Sequence, residues 1–236
     1  MFIQIPNVLT SAEVKHCRQV LEASQWVDGR LTAGDLAAKS KSNLQIPAES
    51  AEARELGELI LNALGRNATY HSAALPFRVL PPRFNRYDVG MAFGTHVDNA
   101  IQTVPGTGGM RMRADVSSTI FLSEPDEYDG GELVIDDAQG SRAIKLPAGH
   151  MIVYHASTLH RVTPVMRGSR WASFFWAQSL VKDETSRTML YELDCAIIAI
   201  RQELGKDAGK DAGDEHPAVH RLVNHYHNLL RRWSEL

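Results

Sequence analysis

The chain has little cysteine, no long apolar run and no excess of basic charge, and each shortage excludes something. Only two cysteines occur in 236 residues, Cys17 and Cys195, both in helix-like contexts. That argues against a disulfide framework and fits a reducing, cytoplasmic setting. The longest apolar stretch, Cys195 to Ile200, falls far short of the roughly 18–20 residues that span a bilayer. The opening MFIQIPN lacks the positive region and apolar run of a secretory signal, so no membrane association is expected. A net charge of -3, with basic residues scattered along the chain, excludes nucleic-acid binding driven by bulk positive charge. Hydrophobic content of 44% and charged content of 22% are ordinary for a globular protein. A chain of this length can bury its own core without a staple.

What is present falls into three parts: 1–76, 77–180 and 181–236. Phe2 to Ile5 reads as a short strand. A helix follows, capped by Thr10 or Ser11, with Glu13 in its first turn and Val14, Cys17, Val20 and Leu21 at helical spacing. A second helix is expected from Ser50 to Leu64, ended by Gly65. Between them, Gly29 to Pro47 is polar and reads as a surface loop.

From about Phe77 to Ser179, short segments rich in Val, Ile, Thr and aromatics alternate with Gly, Pro and Asp turns. About eight such segments, Gly94–Asp98 and Arg161–Met166 among them, suit a double-sheeted jelly-roll. After Ser179 the pattern turns helical, from Asp183 or Thr185 through Ile200. The repeat KDAGKDAG (206–213) reads as a polar hinge. A last helix begins near Pro217, and its stripe of Leu222, Tyr226, Leu229 and Trp233 is expected to dock on the parent domain, a homo-oligomer seam being the alternative. The expected class is mainly β with flanking α: a double-stranded β-helix core, N-terminal helices packed on it, and a C-terminal helical extension.

The chemistry concentrates in GTHVDNA (94–100). Side chains two apart on a strand share a face, so His96 and Asp98 can reach one ion together. Alone, H-x-D is a weak motif. A distant histidine, His160, opens a later strand and supplies a third ligand. Two histidines and one carboxylate make the facial triad of non-haem iron(II) sites, with positions left open for substrate and oxygen. Arg170 makes the pattern specific. A bound 2-oxo acid would supply electrons for oxygen activation, and its far carboxylate needs a fixed, buried cation. A guanidinium fork suits that task. His160 and Arg170 are expected on neighbouring strands of one hairpin.

The segments RYDVGMAFGTHVDNA, DGGELVI and LPAGHMIVYHASTLHRVTPVMRGSRWASFFWAQS resemble the iron(II)/2-oxoglutarate dioxygenases of the prolyl-4-hydroxylase type. More narrowly, they resemble the bacterial PKHD-type hydroxylases, some of them associated with iron uptake. The resemblance extends over nearly the whole chain, KSNLQIP (41–47) and the C-terminal helices included. It implies that His96, Asp98 and His160 bind Fe(2+), and that Arg170 binds the distal carboxylate of 2-oxoglutarate. It also implies that the phenol of Tyr87 helps hold that co-substrate, and that L-ascorbate restores the reduced metal. The expected reaction consumes O2 and 2-oxoglutarate, releases succinate, and hydroxylates a small-molecule or peptide substrate that the sequence does not name.

Other candidates are weaker. Glu132 reads as structural, and His150 and His155 as turn and loop residues. His216 and His220 have metal-like helical spacing without a third ligand and read as a solvated face. Asn99 to Ala114 would overhang the site as a lid, with Arg111 and Arg113 facing either an anionic substrate or water. Two rival functions remain: a metal-dependent isomerase or cofactor-independent dioxygenase, and a non-catalytic sensor of iron or 2-oxoglutarate. Neither sensing nor catalysis follows from fold alone.

Overall fold

Thr10 opens the first helix as its chemistry predicts. In this computed structural model, which describes residues 2–32, 40–137, 140–208 and 210–235, the Thr10 hydroxyl accepts the Glu13 amide at 3.2 Å. The Glu13 carboxylate accepts the Thr10 amide at 2.8 Å, closing a capping box on α1 (Ser11–Ala23). Ser50 caps α2 (Ala51–Gly65) by accepting the Ala53 amide at 3.0 Å. A third short helix, α3 (Ala68–Ala74), capped by Asn67, was not evident from the apolar spacing.

These helices cover one face of a large antiparallel sheet. From one edge its strands are β1 (Phe2–Ile5), β14 (Met151–His155), β10 (Val116–Phe121), β17 (Arg170–Ser179), β6 (Arg83–Tyr87), β4 (Leu44–Gln45) and β2 (Val27–Asp28), and β5 (Pro76–Val79) also pairs with β17. A smaller sheet runs β13 (Gly140–Ile144), β12 (Leu133–Asp137), β15 (Leu159–Val162), β7 (Ala92–His96) and β3 (Lys41–Ser42).

The two-residue period of a strand assigns each side chain to a layer. Phe84, Val116, Ile120, Met151, Val153, Trp171 and Phe175 point to the helices and join Leu21, Leu56 and Ile60. The alternate positions Tyr87, Phe121, Ile152 and Tyr154 meet Leu133, Ile135 and Val162 of the smaller sheet. Further along the same inward face the residues turn polar. Arg83, Asn85, Ser117, Thr119 and Arg170 line a cavity. A sheet face that is apolar at one end and polar at the other builds a core and a site from one set of strands.

Three local expectations need correction. The polar stretch 29–47 is not simply a surface loop. Lys41–Ser42 and Leu44–Gln45 form β3 and β4, one in each sheet, and Lys41, Asn43, Gln45 and Ile46 are buried; residues 33–39 lie outside the described part. The strand expected at Arg161–Met166 is broken at Pro164, which has no amide to give a ladder. It becomes β15 and then β16 (Val165–Arg167), which pairs with β11 (Asp129–Gly130). Gly130 sits there at φ +68°, and a Cβ would lie 2.1 Å from the Pro164 carbonyl oxygen, so a side chain has no room.

The described residues of the expected hinge at 206–213 are helical: α4 (Glu184–Ala208) runs into the repeat, and α5 (Lys210–Glu215) follows. In α6 (Pro217–Trp233), Tyr226, Leu229 and Trp233 pack with Leu75, Val181 and Leu190. The stripe thus docks on its own domain. Among the described residues no helix is long and apolar enough to cross a membrane.

Candidate metal centre

His96 reaches the cavity through an irregularity in its strand. His160 of β15 pairs with His96 of β7, and Val162 pairs with Phe93. Two steps along β15 therefore match three along β7, a bulge that re-aims the strand. It puts Phe93 and His96 on the same inward face although they are three residues apart, and the Phe93 ring stacks on the imidazole at 3.6 Å. Gly94 lies inside the bulge and donates its amide to the Ser40 carbonyl at 2.9 Å. Asp98 lies beyond the end of β7, so strand alternation does not place it. The chain folds it back toward His160, with Oδ1 3.9 Å from Nε2.

Both imidazoles are held by backbone carbonyls. His96 Nδ1 bonds to the Gly94 carbonyl at 2.8 Å and His160 Nδ1 to the Thr158 carbonyl at 3.0 Å. A carbonyl only accepts, so these bonds assign the proton to Nδ1 and leave each Nε2 lone pair for a metal. Burial, aided by the neighbouring His160, lowers the His96 pKa to about 4, which favours the neutral ring that a metal requires. Ligand atoms from His96, Asp98 and His160 all lie within 4.8 Å of one another. Two atoms each about 2.1 Å from an ion stand roughly 3–4.2 Å apart, so a small inward adjustment would close this set on a divalent ion. Asp98 Oδ2 is buried without a hydrogen-bond partner, as a metal ligand would be before loading.

Arg170 comes from the opposite sheet. The expected hairpin with His160 does not form, because the break at Pro164 sends the chain from one sheet to the other. The two residues line the same cavity from facing walls. Arg170 pairs with Tyr87 across β17 and β6. It is only 1% exposed, with its guanidinium carbon 5.4 Å from the Tyr87 ring and 5.2 Å from that of Phe121. Its Nε has no hydrogen-bond partner, and no acid pairs with it among the described residues. A buried charge without a counterion is costly, and a carboxylate delivered by a ligand would relieve that cost. The Tyr87 phenol lines the same cavity; burial raises its pKa, and the Arg170 charge opposes the rise.

The structure also identifies cavity residues that apolar periodicity does not reveal: Lys41, Arg83, Asn85 and Tyr154. The alternation Arg83, Asn85, Tyr87 on one strand was the available signal. The cleft encloses about 860 Å³ when the open solvent at its mouth is included.

The lesser candidates resolve individually. Asn99 and Gln102 reach the cavity, but the rest of the expected lid is a hairpin of β8 (Ile101–Thr103) with β9 (Arg111–Arg113). Arg113 pairs with Asp115 at 3.2 Å and Glu235 at 3.4 Å, away from the site. Glu132 bonds Thr163 and is structural. His216 caps α6. His155 is not a loop residue: it ends β14, is buried, and its Nδ1 accepts from Arg187 Nη2 at 2.9 Å.

Comparison with known proteins agrees with this geometry. Residues 82–178 match the 2OG-Fe(II) oxygenase superfamily, and residues 184–235 match the PKHD-type hydroxylase C-terminal domain. A PKHD-type hydroxylase of Cupriavidus metallidurans is 72% identical over 236 residues, covering 100% of both chains. One of Gluconobacter oxydans is 59% identical over the same span, again covering 100% of both. In fold, the chain is similar to a Pseudomonas putida prolyl-4-hydroxylase, with TM-score 0.51 and 17% identity over 75% of this chain and 92% of that one. It is likewise similar to HygX of Streptomyces hygroscopicus, solved with nickel and 2-oxoglutarate, with TM-score 0.51 and 16% identity over 77% and 84% of the two chains. The jelly-roll core is shared with these folds, and the helical extension matches the PKHD-type C-terminal domain. The chain belongs to the PKHD-type hydroxylases, a family of 2OG-Fe(II) oxygenases.

Proposed function

We propose that the protein hydroxylates a C–H bond of an as yet unidentified substrate, with Fe(2+) held by His96, Asp98 and His160 and 2-oxoglutarate anchored by Arg170. The observation that carries this is the pairing of an open two-histidine, one-carboxylate cluster with a buried arginine that has no acid partner among the described residues, facing it across one cavity. When bound, iron(II), 2-oxoglutarate and O2 supply oxidative decarboxylation to succinate coupled to insertion of one oxygen atom.

The chain's residues bind, orient and exclude. The carbonyls of Gly94 and Thr158 fix both imidazoles and leave each Nε2 available to hold an ion at the cavity. Arg170 fixes one end of the co-substrate, and the Tyr87 phenol adds a hydrogen bond beside it. With Asp98 as its one carboxylate ligand, an ion held there would stay electrophilic, as this chemistry requires. The apolar packing of Phe121, Leu133 and Val162 keeps water from the closed end.

L-ascorbate serves as the reductant after stalled turnovers, the cytoplasm is the compartment, and a role in iron uptake follows the family resemblance; two free cysteines support the compartment. The test is anaerobic loading with iron(II) and 2-oxoglutarate, then a pulse of labelled oxygen in the presence of a cell extract. One metabolite or peptide gains a single labelled atom as succinate appears. Oxygen consumption without labelled succinate would overturn the proposal.

A further inference from the structure

Arg83 is the cation that the proposed chemistry leaves unused. It lies on the same face of β6 as Tyr87, and β6 pairs Arg83 with Phe174 and Tyr87 with Arg170. The two guanidinium-bearing positions are thus four residues apart along one ladder, about 13 Å at strand rise. A five-carbon diacid held at Arg170 and at the metal cannot also occupy Arg83. Burial lowers the Arg83 pKa, yet the side chain makes no ion pair or hydrogen bond among the described residues. Its contact is with the Trp176 ring, 5.6 Å from the guanidinium carbon.

A second positive group approaches from the facing sheet. Lys41, in β3, pairs with Phe93 in β7 and is 7% exposed. Burial first, and then the Arg83 charge, lower its pKa to about 8. Two cations on opposite walls thus lie near the metal ligands, and among the described residues the only acid lining the cavity is Asp98, itself a ligand. Two more polar atoms on this cavity are buried and unpartnered, the Trp176 indole Nε1 and Asn85 Oδ1. Native structures seldom leave such atoms unsatisfied without a ligand or water to meet them.

We propose that the substrate carries an oxyanion, a carboxylate or a phosphate, seated on Arg83 with Lys41 beside it, at the end of the cavity away from Arg170. This inference rests on the assignment of the triad and Arg170 given above and names the chemical class of the substrate for that site. The Trp176 indole donates to the same polar end of the substrate, and Asn85 accepts from a donor on it. Fixing that end would hold the rest of the molecule over the metal, which is how remote binding energy orients a reacting bond.

The probes are inorganic phosphate and acetate, observed by NMR with the full-length protein loaded with manganese(II) in place of iron(II) and saturated with 2-oxoglutarate. The paramagnetic ion shortens the relaxation of any nucleus held near it. Phosphate or acetate relaxation is enhanced in the wild type, and the enhancement survives saturation with 2-oxoglutarate. In Arg83→Gln the affinity behind it falls about tenfold or more, as loss of a charge-assisted contact requires, and Arg83→Lys restores part of it. The nuclei of 2-oxoglutarate serve as the internal control for folding and for the triad, with unchanged enhancement in both variants. Equal anion affinity in the wild type and Arg83→Gln, or complete displacement of both anions by 2-oxoglutarate, overturns the proposal. If 2-oxoglutarate itself shows no enhancement in the wild type, the underlying assignment of the metal and co-substrate site fails, and the proposal fails with it.

Discussion

Replacing Arg170 with methionine separates two roles that a buried arginine can have. The side chain is 1% exposed, with an unpartnered Nε and no acid paired to it among the described residues. If it awaits a ligand carboxylate, the substitution removes a bidentate pair of charge-assisted bonds. Each is worth about 1.5–3 kcal/mol. A loss of roughly 3–5 kcal/mol follows, an increase of about 10²- to 10⁴-fold in the 2-oxoglutarate Kd. The ligand-free protein behaves oppositely. A buried charge with no counterion destabilises the fold, and methionine of similar length fills the space between Tyr87 and Phe121, so Tm stays level or rises. Calorimetric titration of 2-oxoglutarate into the manganese-loaded protein, with thermal melts of the ligand-free form, reads both effects. A Kd within about threefold of wild type, an affinity change below roughly 1 kcal/mol, would refute the role of Arg170. A fall in Tm beyond about 5 °C, roughly 1–3 kcal/mol for a domain of this size, would show that Arg170 belongs to the structural core instead.

Three other substitutions test the supports around the site. A Cβ at Gly94 would come within 2.7 Å of Ser40 Cβ, moving the carbonyl that holds His96, so Gly94→Ala weakens metal binding about 10- to 100-fold; unchanged metal titration would refute the link. Arg187 is 1% exposed and donates to Val181, Lys182 and His155. Arg187→Met therefore costs about 3 kcal/mol, a Tm drop of roughly 6–12 °C, while 2-oxoglutarate affinity stays intact; a drop under about 2 °C would contradict this.

His155 supplies a pH test. Burial, with Arg187 adding to it, lowers its pKa to about 4, against about 6.5 in the unfolded chain. As pH falls from 6.5 to 4 the unfolded state takes up a proton that the folded state excludes, so stability declines by up to about 3 kcal/mol. His155→Leu flattens that part of the stability profile, and parallel profiles would refute the assignment.

The parts of the fold set by short-range chemistry were legible in the sequence. Thr10 with Glu13 announces a cap, and the apolar spacing of Leu56 and Ile60 announces a buried helix face. The candidate ligands were legible because two histidines and an aspartate at wide spacing, with an arginine beyond them, narrow the chemistry sharply. Their geometry was not. The bulge that turns His96 inward comes from pairing with β15, and nothing local in GTHVDNA encodes it. Pro164 was visible, but only the assembled sheets show that it sends Arg170 to the wall opposite His160.

Lys41 to Ile46 was misjudged for a different reason. Polar residues usually mark the surface, whereas a binding cavity needs polar residues pointing inward. The glycine-bearing repeat at 206–213 reads as a hinge because glycine weakens helices, yet for its described residues a cost of about 1 kcal/mol per glycine is small beside the packing of α4 and α6 on the core.

The central claim is tested most directly by anaerobic titration of iron(II) into the protein with 2-oxoglutarate present, following the charge-transfer absorption of the chelated complex. One equivalent of iron saturates the wild type. His96→Ala, Asp98→Ala and His160→Ala each abolish the signal, and Arg170→Met displaces it to much higher 2-oxoglutarate concentration. A wild-type protein that develops no such absorption, or triad variants that develop it undiminished, would contradict the account.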